Sequence, residues 1–465
     1  MKVLVSMAAA LSVAATPAVS APARAGTAGP GKVAAGKVCA DCVKATMQRL
    51  VAPDMKGRAC GTTEENAAAR YLADRLKAYR AKGAAPGGGF LQAVRFRTPT
   101  YAAPPSLAVG GLTLTQGREI VALDPGEAAA GPLALVGLAA PEAAAGKIAV
   151  YDAPYDPKAV AAFVRAGAAA VVVPAPDRIL RAWDQLAARA PGGVEIVGAE
   201  SVGVGQPPSP RQVVIFARPE TLAQLRGLEG RPARFAAPRG QPVLETSYNV
   251  LGVIPGTAPD ADRQAVLLSA HYDHVGVRNG VVYPGANDDA SGTAAVLEFA
   301  RLLGARKAPK RTVHFALFGC EEAGGHGAKV FLAHPPTPLA DLVANLEFEM
   351  IGVPDPADRT RLMLTGWERT NLGPALRDHG ASIGPDRYPE ENFFQRSDNY
   401  ELAKKGVVAQ TISAWPVPPT YHQPTDDLDH VDLTFMAEVI QSLAEPVKWL
   451  LNSDFRPEWT PGGKP

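Results

Sequence analysis

Two short stretches hold the residue types from which a metal site is built. One is Ala270-His271-Tyr272-Asp273-His274, which follows the apolar run Val266-Leu267-Leu268. The other is Asn287-Asp288-Asp289-Ala290-Ser291-Gly292, at an expected helix start. An imidazole can bind a metal while a carboxylate two residues on fixes its tautomer and orientation. Adjacent carboxylates repel each other unless a cation lies between them. Either stretch alone would pass as a solvated turn or a helix cap. Together, each at the mouth of an element, they point to a metal site.

Three further groups of the same chemistry follow. Gly319-Cys320 delivers Glu321-Glu322 after an apolar strand, Phe348-Glu349-Met350-Ile351-Gly352 puts one acid in an apolar strand, and Tyr421-His422-Gln423 sits in a Pro-braced loop. A buried Glu in a strand is costly without a proton or a cation, which is the demand Glu349 makes. Glu321 and Glu322 cannot both ionise cheaply in a cleft that lacks positive charge.

Such groups need a scaffold that gathers strand ends along one edge. From Thr246 onward, strands and helices alternate as in a doubly wound α/β fold: a mixed, mainly parallel sheet with helices on both faces. Strands are expected at 250–254, 265–270, 312–318, 345–351, 361–365 and 407–412, and helices at 291–303, 373–379 and 433–451. Asp432 reads as the N-cap of the last helix, with Met436, Val439, Ile440 and Leu443 on one stripe. Residues 43–82 read as helical and 90–96 as a strand. Residues 107–242 change character, rich in Ala, Gly, Val and Pro and with no cluster of ligands. A strand at 146–152, a helix at 159–166 and a strand at 167–173 make a right-handed βαβ unit, so this stretch reads as a separate insert.

The whole chain has 465 residues, 47 basic and 46 acidic, for a net charge of +1. That balance argues against nucleic acid or an anionic membrane surface as the main partner. Residues 1–25 read as an export signal: Lys2, an apolar run over 3–15, and Ala23-Arg24-Ala25 as the cleavage site. The run is too short to span a bilayer, so the mature protein is expected to be exported, periplasmic or secreted, without an integral membrane segment. Of the four cysteines, Cys60 is expected to pair with Cys39 or Cys42, and Cys320 to be buried as a thiol. His274 reads as a local hydrogen-bonding group and His314 as a core or face residue of its strand. Ser397-Asp398-Asn399 lacks the elbow that a serine nucleophile needs. Trp367, Phe393, Phe394 and Trp415 fall in loops between the motifs, where they either line a pocket or pack beneath the loops.

The five motifs, in this order, resemble those of the M28 zinc peptidases, the co-catalytic aminopeptidase and glutamate-carboxypeptidase group. The insert, through Gly146-Lys147-Ile148 and Ala166-Gly167-Ala168, resembles a protease-associated domain. The resemblance divides the chain into a signal (1–25), a first part of the peptidase domain (26–105), a β-rich insert (106–243), the main part (244–455) and a tail (456–465). It implies two zinc ions, which cobalt or manganese could replace. Asp288 would bridge them, His271 and Glu349 would complete one site, and Glu322 and His422 the other. Glu321 would be the general base, Asp273 would orient His271, and Tyr421 would hydrogen-bond the tetrahedral intermediate. The resemblance also implies a cis bond between Asp288 and Asp289. The chain departs from the family at Glu349, where Asp is usual, by one methylene. The implied activity is removal of N-terminal residues from peptides or proteins. Its rivals are a carboxypeptidase or dipeptidase of the same fold, a mononuclear-zinc glutaminyl cyclase-like aminoacyl transferase, and a relative without catalysis.

Overall fold

The computed structural model describes residues 36–123, 125–188, 191–192, 194–198 and 213–465, so the export signal expected at 1–25 lies outside the described residues. The main body is built on one mixed sheet. Its centre is four parallel strands, in the order Ala409–Ser413, Leu342–Phe348, Ala265–His271 and Val313–Phe318. Outside these, Val243–Ile254 and Leu91–Thr98 continue the sheet antiparallel on one side, and Leu362–Leu364 does so on the other. Parallel strands run unbroken in apolar residues when both faces are covered. Here Val266, Leu268 and Ala270 face one core with the helices Ala40–Leu50, Thr63–Ala78, Gly292–Gly304 and Leu433–Asn452. Ala265 and Leu267 face another, against Phe331 and Leu332 of His326–Ala333 and Leu402 and Ala403 of Asn399–Lys404.

The second body is an eight-stranded sheet running from Ser106–Val109 to Pro232–Ala236, with cores of its own. Its Ile148–Val150 and Ala170–Pro174 pair in parallel across the helix Pro157–Arg165, the βαβ unit expected from the sequence. One strand from this stretch, Glu195–Ile196, leaves it and pairs with Leu91–Thr98 at the edge of the main sheet. The insert is thereby tied to the main body at a second place besides its two ends.

Three sequence expectations are corrected. Cys39 pairs with Cys42 and Cys60 with Cys320, so Cys320 is not a thiol. Cys39 caps the first helix, which places Cys42 one turn away, while the end of the strand Val313–Phe318 comes down beside Cys60. The strand expected at 345–351 ends at Phe348, because Met350 has a left-handed backbone (φ 54°) that no ladder accommodates. The helices His326–Ala333 and Asn399–Lys404 are additional to those expected. His314 does lie in its strand, and burial lowers its pKa to about 4.

The unfolded His314 titrates near 6.5. The unfolded chain therefore takes up a proton that the fold refuses between pH 6.5 and about 4, and stability falls as the pH is lowered through that window. His314→Leu should remove on the order of 3 kcal/mol of that acid sensitivity. Urea unfolding of both proteins at pH 7.5 and pH 4 measures it, and parallel pH dependences would contradict it.

Candidate metal centre

Parallel strands bring their C-terminal ends to one edge, and three of the motifs arrive that way. His271 is the last residue of its strand, Glu321 and Glu322 follow Phe318, and Glu349 follows Phe348. His422 comes from a loop and has a left-handed backbone itself (φ 52°). Asp288 precedes the helix Gly292–Gly304, across a cis bond to Asp289. A Cβ at Gly292 would lie 2.0 Å from the Phe348 carbonyl oxygen, so only glycine lets this helix start against the strand end that carries Glu349.

The Asp288 carboxylate is the meeting point. His271 Nε2 lies 3.2 Å from its Oδ1, and His422 Nε2 lies 3.1 Å from its Oδ2. His422 Nε2 is also 3.1 Å from Glu322 Oε1. Two donor sets result, His271–Asp288–Glu349 and Asp288–Glu322–His422, and His274 enters the second. The residues assigned by resemblance to two metal sites are thus brought together as two sets that share Asp288. Glu321 stands beside Glu322 and belongs to neither set.

The backbone that aims these groups is held by other buried polar side chains. Asp426 accepts from the N–H of Asn287 (2.8 Å) and of Asp288 (3.1 Å). Asp289 Oδ1 accepts from Gly292 and Met350, and Asn287 Oδ1 from Gly352, so the Asp288 loop is stitched to the Glu349 loop. Asp273 accepts from the N–H of Glu321 (2.9 Å) and Glu322 (3.2 Å). Its carboxylate is 3.7 Å from His271 Nδ1, whose nearer partner is the Asp273 carbonyl oxygen at 3.2 Å. Asp273 therefore orients His271 largely through its backbone and spends its carboxylate on the glutamate loop. Arg58 is fully buried and donates to the carbonyls of Leu50, Tyr272, Pro284 and Gly285. Sequence reasoning missed Arg58 and Asp426. A lone arginine after a glycine carries no signal, whereas an acid four residues after His422 in a Pro-braced loop offered a weak one.

The electrostatics ask for positive charge. Burial opposes charge on His271, but the Asp273 and Asp288 carboxylates outweigh it and raise its pKa well above the usual value. His422 is raised to about 10 against burial by Asp288 and Glu322. Burial, then neighbouring acids, pushes Glu321 well above the carboxylate range. Yet His271 Nε2 and Glu322 Oε1 have no hydrogen-bond partner. Nitrogen and carboxylate oxygen donors, buried, converging and unpartnered, suit zinc.

The family model for Peptidase family M28 matches residues 249–447. The match covers less than half of the chain. The matched segment takes in every residue of both donor sets. Among curated proteins the chain is similar to the "Probable lipoprotein aminopeptidase LpqL" of Mycobacterium tuberculosis, 29% identical over 40% of this chain and 43% of that protein. The matched part thus spans less than half of that relative's length. Among solved structures it is similar to an aminopeptidase from Aneurinibacillus, with TM-score 0.58 and 22% identity over 90% of this chain and 95% of that one. It is also similar to BSAP, a zinc aminopeptidase from Bacillus subtilis, with TM-score 0.55 and 20% identity over 89% and 96%. These shares are too large for the main body alone, so the likeness in fold extends over the insert.

Arg58 offers a test of the scaffold around this site. Arg58→Met takes a donor from the carbonyls of Leu50, Tyr272, Pro284 and Gly285, of which Gly285 keeps the Ala290 N–H, and should cost on the order of 3 kcal/mol in urea unfolding. Arg58→Lys keeps the charge but not the planar fork, and should recover only part of it. A methionine variant as stable as the parent would show that the arginine does not hold these loops.

Proposed function

We propose that the chain is an exported, dinuclear zinc aminopeptidase. The observation that carries the reading is the pair of donor sets sharing Asp288, with Glu321 alongside but outside both. The similar proteins support it, since they are named as aminopeptidases and one as a zinc enzyme. Two complete donor sets favour it over a mononuclear cyclase-like transferase and over a relative that has lost its ligands. Export is supported by two disulfides, which persist in oxidising compartments. Among the described residues no helix is long and apolar enough to cross a membrane.

Zinc held by these residues supplies Lewis acidity towards the scissile carbonyl and the attacking water. Glu321 takes the proton from that water and returns it to the leaving amine. Burial, and then Asp398, Glu349 and Glu322, hold its pKa well above the carboxylate range, and cations beside it would bring that down towards a base. Asp273 fixes the backbone from which Glu321 reaches in. Tyr421 stacks on His422 with ring centroids 4.0 Å apart and lines a pocket with Glu349, Met350, Met363 and Phe393. That pocket mixes apolar side chains with Thr365, Thr411 and Ser413 and would receive the end of a peptide, with Tyr421 as hydrogen-bond donor to the reacting carbonyl. The acids around it favour a substrate ammonium group. The insert, which we take as a protease-associated domain, shares a second cleft with the hairpin strands Gly276–Arg278 and Val281–Tyr283 through Trp183 and Asp184, and would shape the approach of longer peptides.

A second reading has one observation behind it: Arg396 also lines the Glu349 pocket and could meet a peptide carboxylate. Arg396 already lies over the Phe393 ring, with Glu391 3.5 Å away, which weakens that case. Aminoacyl-anilides and N-acylated peptides with a free C-terminus, assayed in parallel, separate the two. The aminopeptidase cleaves only the anilides, and activity confined to the acylated peptides would reverse the assignment.

Glu321→Gln should keep both zincs and the fold while kcat falls by about 10²–10⁴-fold, the usual worth of a general base. Metal analysis and steady-state kinetics on one preparation read both. A variant that turns over near the parental rate would remove Glu321 from this role.

A further inference from the structure

His274 is the one imidazole in the cluster that the reading above leaves without a task. It is buried, in the turn that follows His271, and packing fixes its ring. A Cβ at Gly285 would meet His274 Cγ at 2.4 Å, and the His422 ring stands edge-on at 5.5 Å. His274 Nδ1 lies 2.9 Å from Glu322 Oε1 and 3.7 Å from Asp288 Oδ2. Those are the same two oxygens that His422 Nε2 faces at 3.1 Å each.

Donors about 2.0–2.1 Å from a common tetrahedral centre stand roughly 3.3–3.4 Å apart. The four distances from the two imidazoles to the two oxygens, 2.9 to 3.7 Å, bracket that spacing. At His274 the distance would allow a hydrogen bond, but the geometry does not form one. Neither nitrogen of His274 has a hydrogen-bond partner, and nor has Glu322 Oε1. Two unpartnered groups at 2.9 Å are arranged as ligands of one cation are, and not as a donor facing its acceptor.

We propose that His274 Nδ1 is a fourth protein ligand of the metal held by Asp288, Glu322 and His422. That would give this site four protein donors against the three of His271, Asp288 and Glu349. The inference rests on the zinc-dependent reading above and goes beyond it, because it makes the two sites unequal. The four-donor site holds zinc more tightly, and chelation empties the three-donor site first.

The test uses the full protein and zinc alone. Metal-free wild type loaded with one equivalent of zinc should show two imidazoles per zinc by X-ray absorption, and one imidazole would overturn the proposal. Competition with a chelator should then find the tight site of His274→Ala weakened by more than ~100-fold. Loss of a residue that merely positions a ligand costs about 10–100-fold. A loss in that range or smaller makes His274 a positioning residue and overturns the ligand role. The wild-type spectrum decides the matter if the variant does not fold. A protein that binds no zinc would defeat the aminopeptidase reading itself. A two-zinc, active enzyme with one imidazole per tight zinc would defeat only this inference.

Discussion

The constraint on which the structure turns is the Asp288 carboxylate, buried where three imidazoles and two glutamates converge. A carboxylate so placed is costly unless positive charge reaches it, and the buried Arg58 guanidinium is committed to backbone carbonyls. The charge must come from protons on the histidines or from metal. The raised titration of His271 and His422 is the first answer the chain can give by itself. A dication gives the second and releases the histidines as neutral ligands.

Around that carboxylate the fold spends its buried polar groups on backbone rather than on ligands. Asp426, Asp289, Asn287 and Asp273 each accept from N–H groups of the loops that carry the donors. Of the eight non-glycine residues with left-handed backbone among those described, Cys320 adjoins Glu321, Met350 adjoins the donor Glu349, and His422 is itself a donor. Such conformations persist where their surroundings over-determine them. Here the surroundings are these carboxylate-to-backbone bonds and the Cys60–Cys320 disulfide beside Glu321.

Three of the donor motifs were legible because each follows an apolar run, and strand ends in a parallel sheet share an edge; Asp288 and His422 were legible through the resemblance of their motifs. What was illegible has specific causes. Cysteine pairing depends on which loop passes Cys60, and residues 260 positions apart in sequence leave no local trace of that. The end of the strand at Phe348 is set by the backbone of Met350, to which an apolar run is blind. Arg58 works through carbonyls, and a carbonyl has no residue type to recognise. His274 was visible as a residue but not as a contributor, because three residues beyond His271 could as well have pointed to solvent.

The asymmetry between the donor sets bears on the extra methylene of Glu349. The backbone on both sides of this residue is pinned: its own N–H donates to the Ile412 carbonyl at 3.0 Å, and that of Met350 donates to Asp289 at 3.0 Å. The strand therefore cannot retract to offset a longer side chain. The extra length, roughly 1.5 Å on ordinary single-bond dimensions, has to be taken up in the side-chain torsions. Fixing those torsions costs conformational entropy that a shorter aspartate would not lose in the same measure. The set that holds Glu349 is also the one with a single imidazole and no stand-in for His274. Weaker retention and the smaller donor set thus fall on the same side of Asp288, beside the pocket that Tyr421 lines. A substrate carbonyl entering from that pocket would meet first the metal position with fewest protein donors.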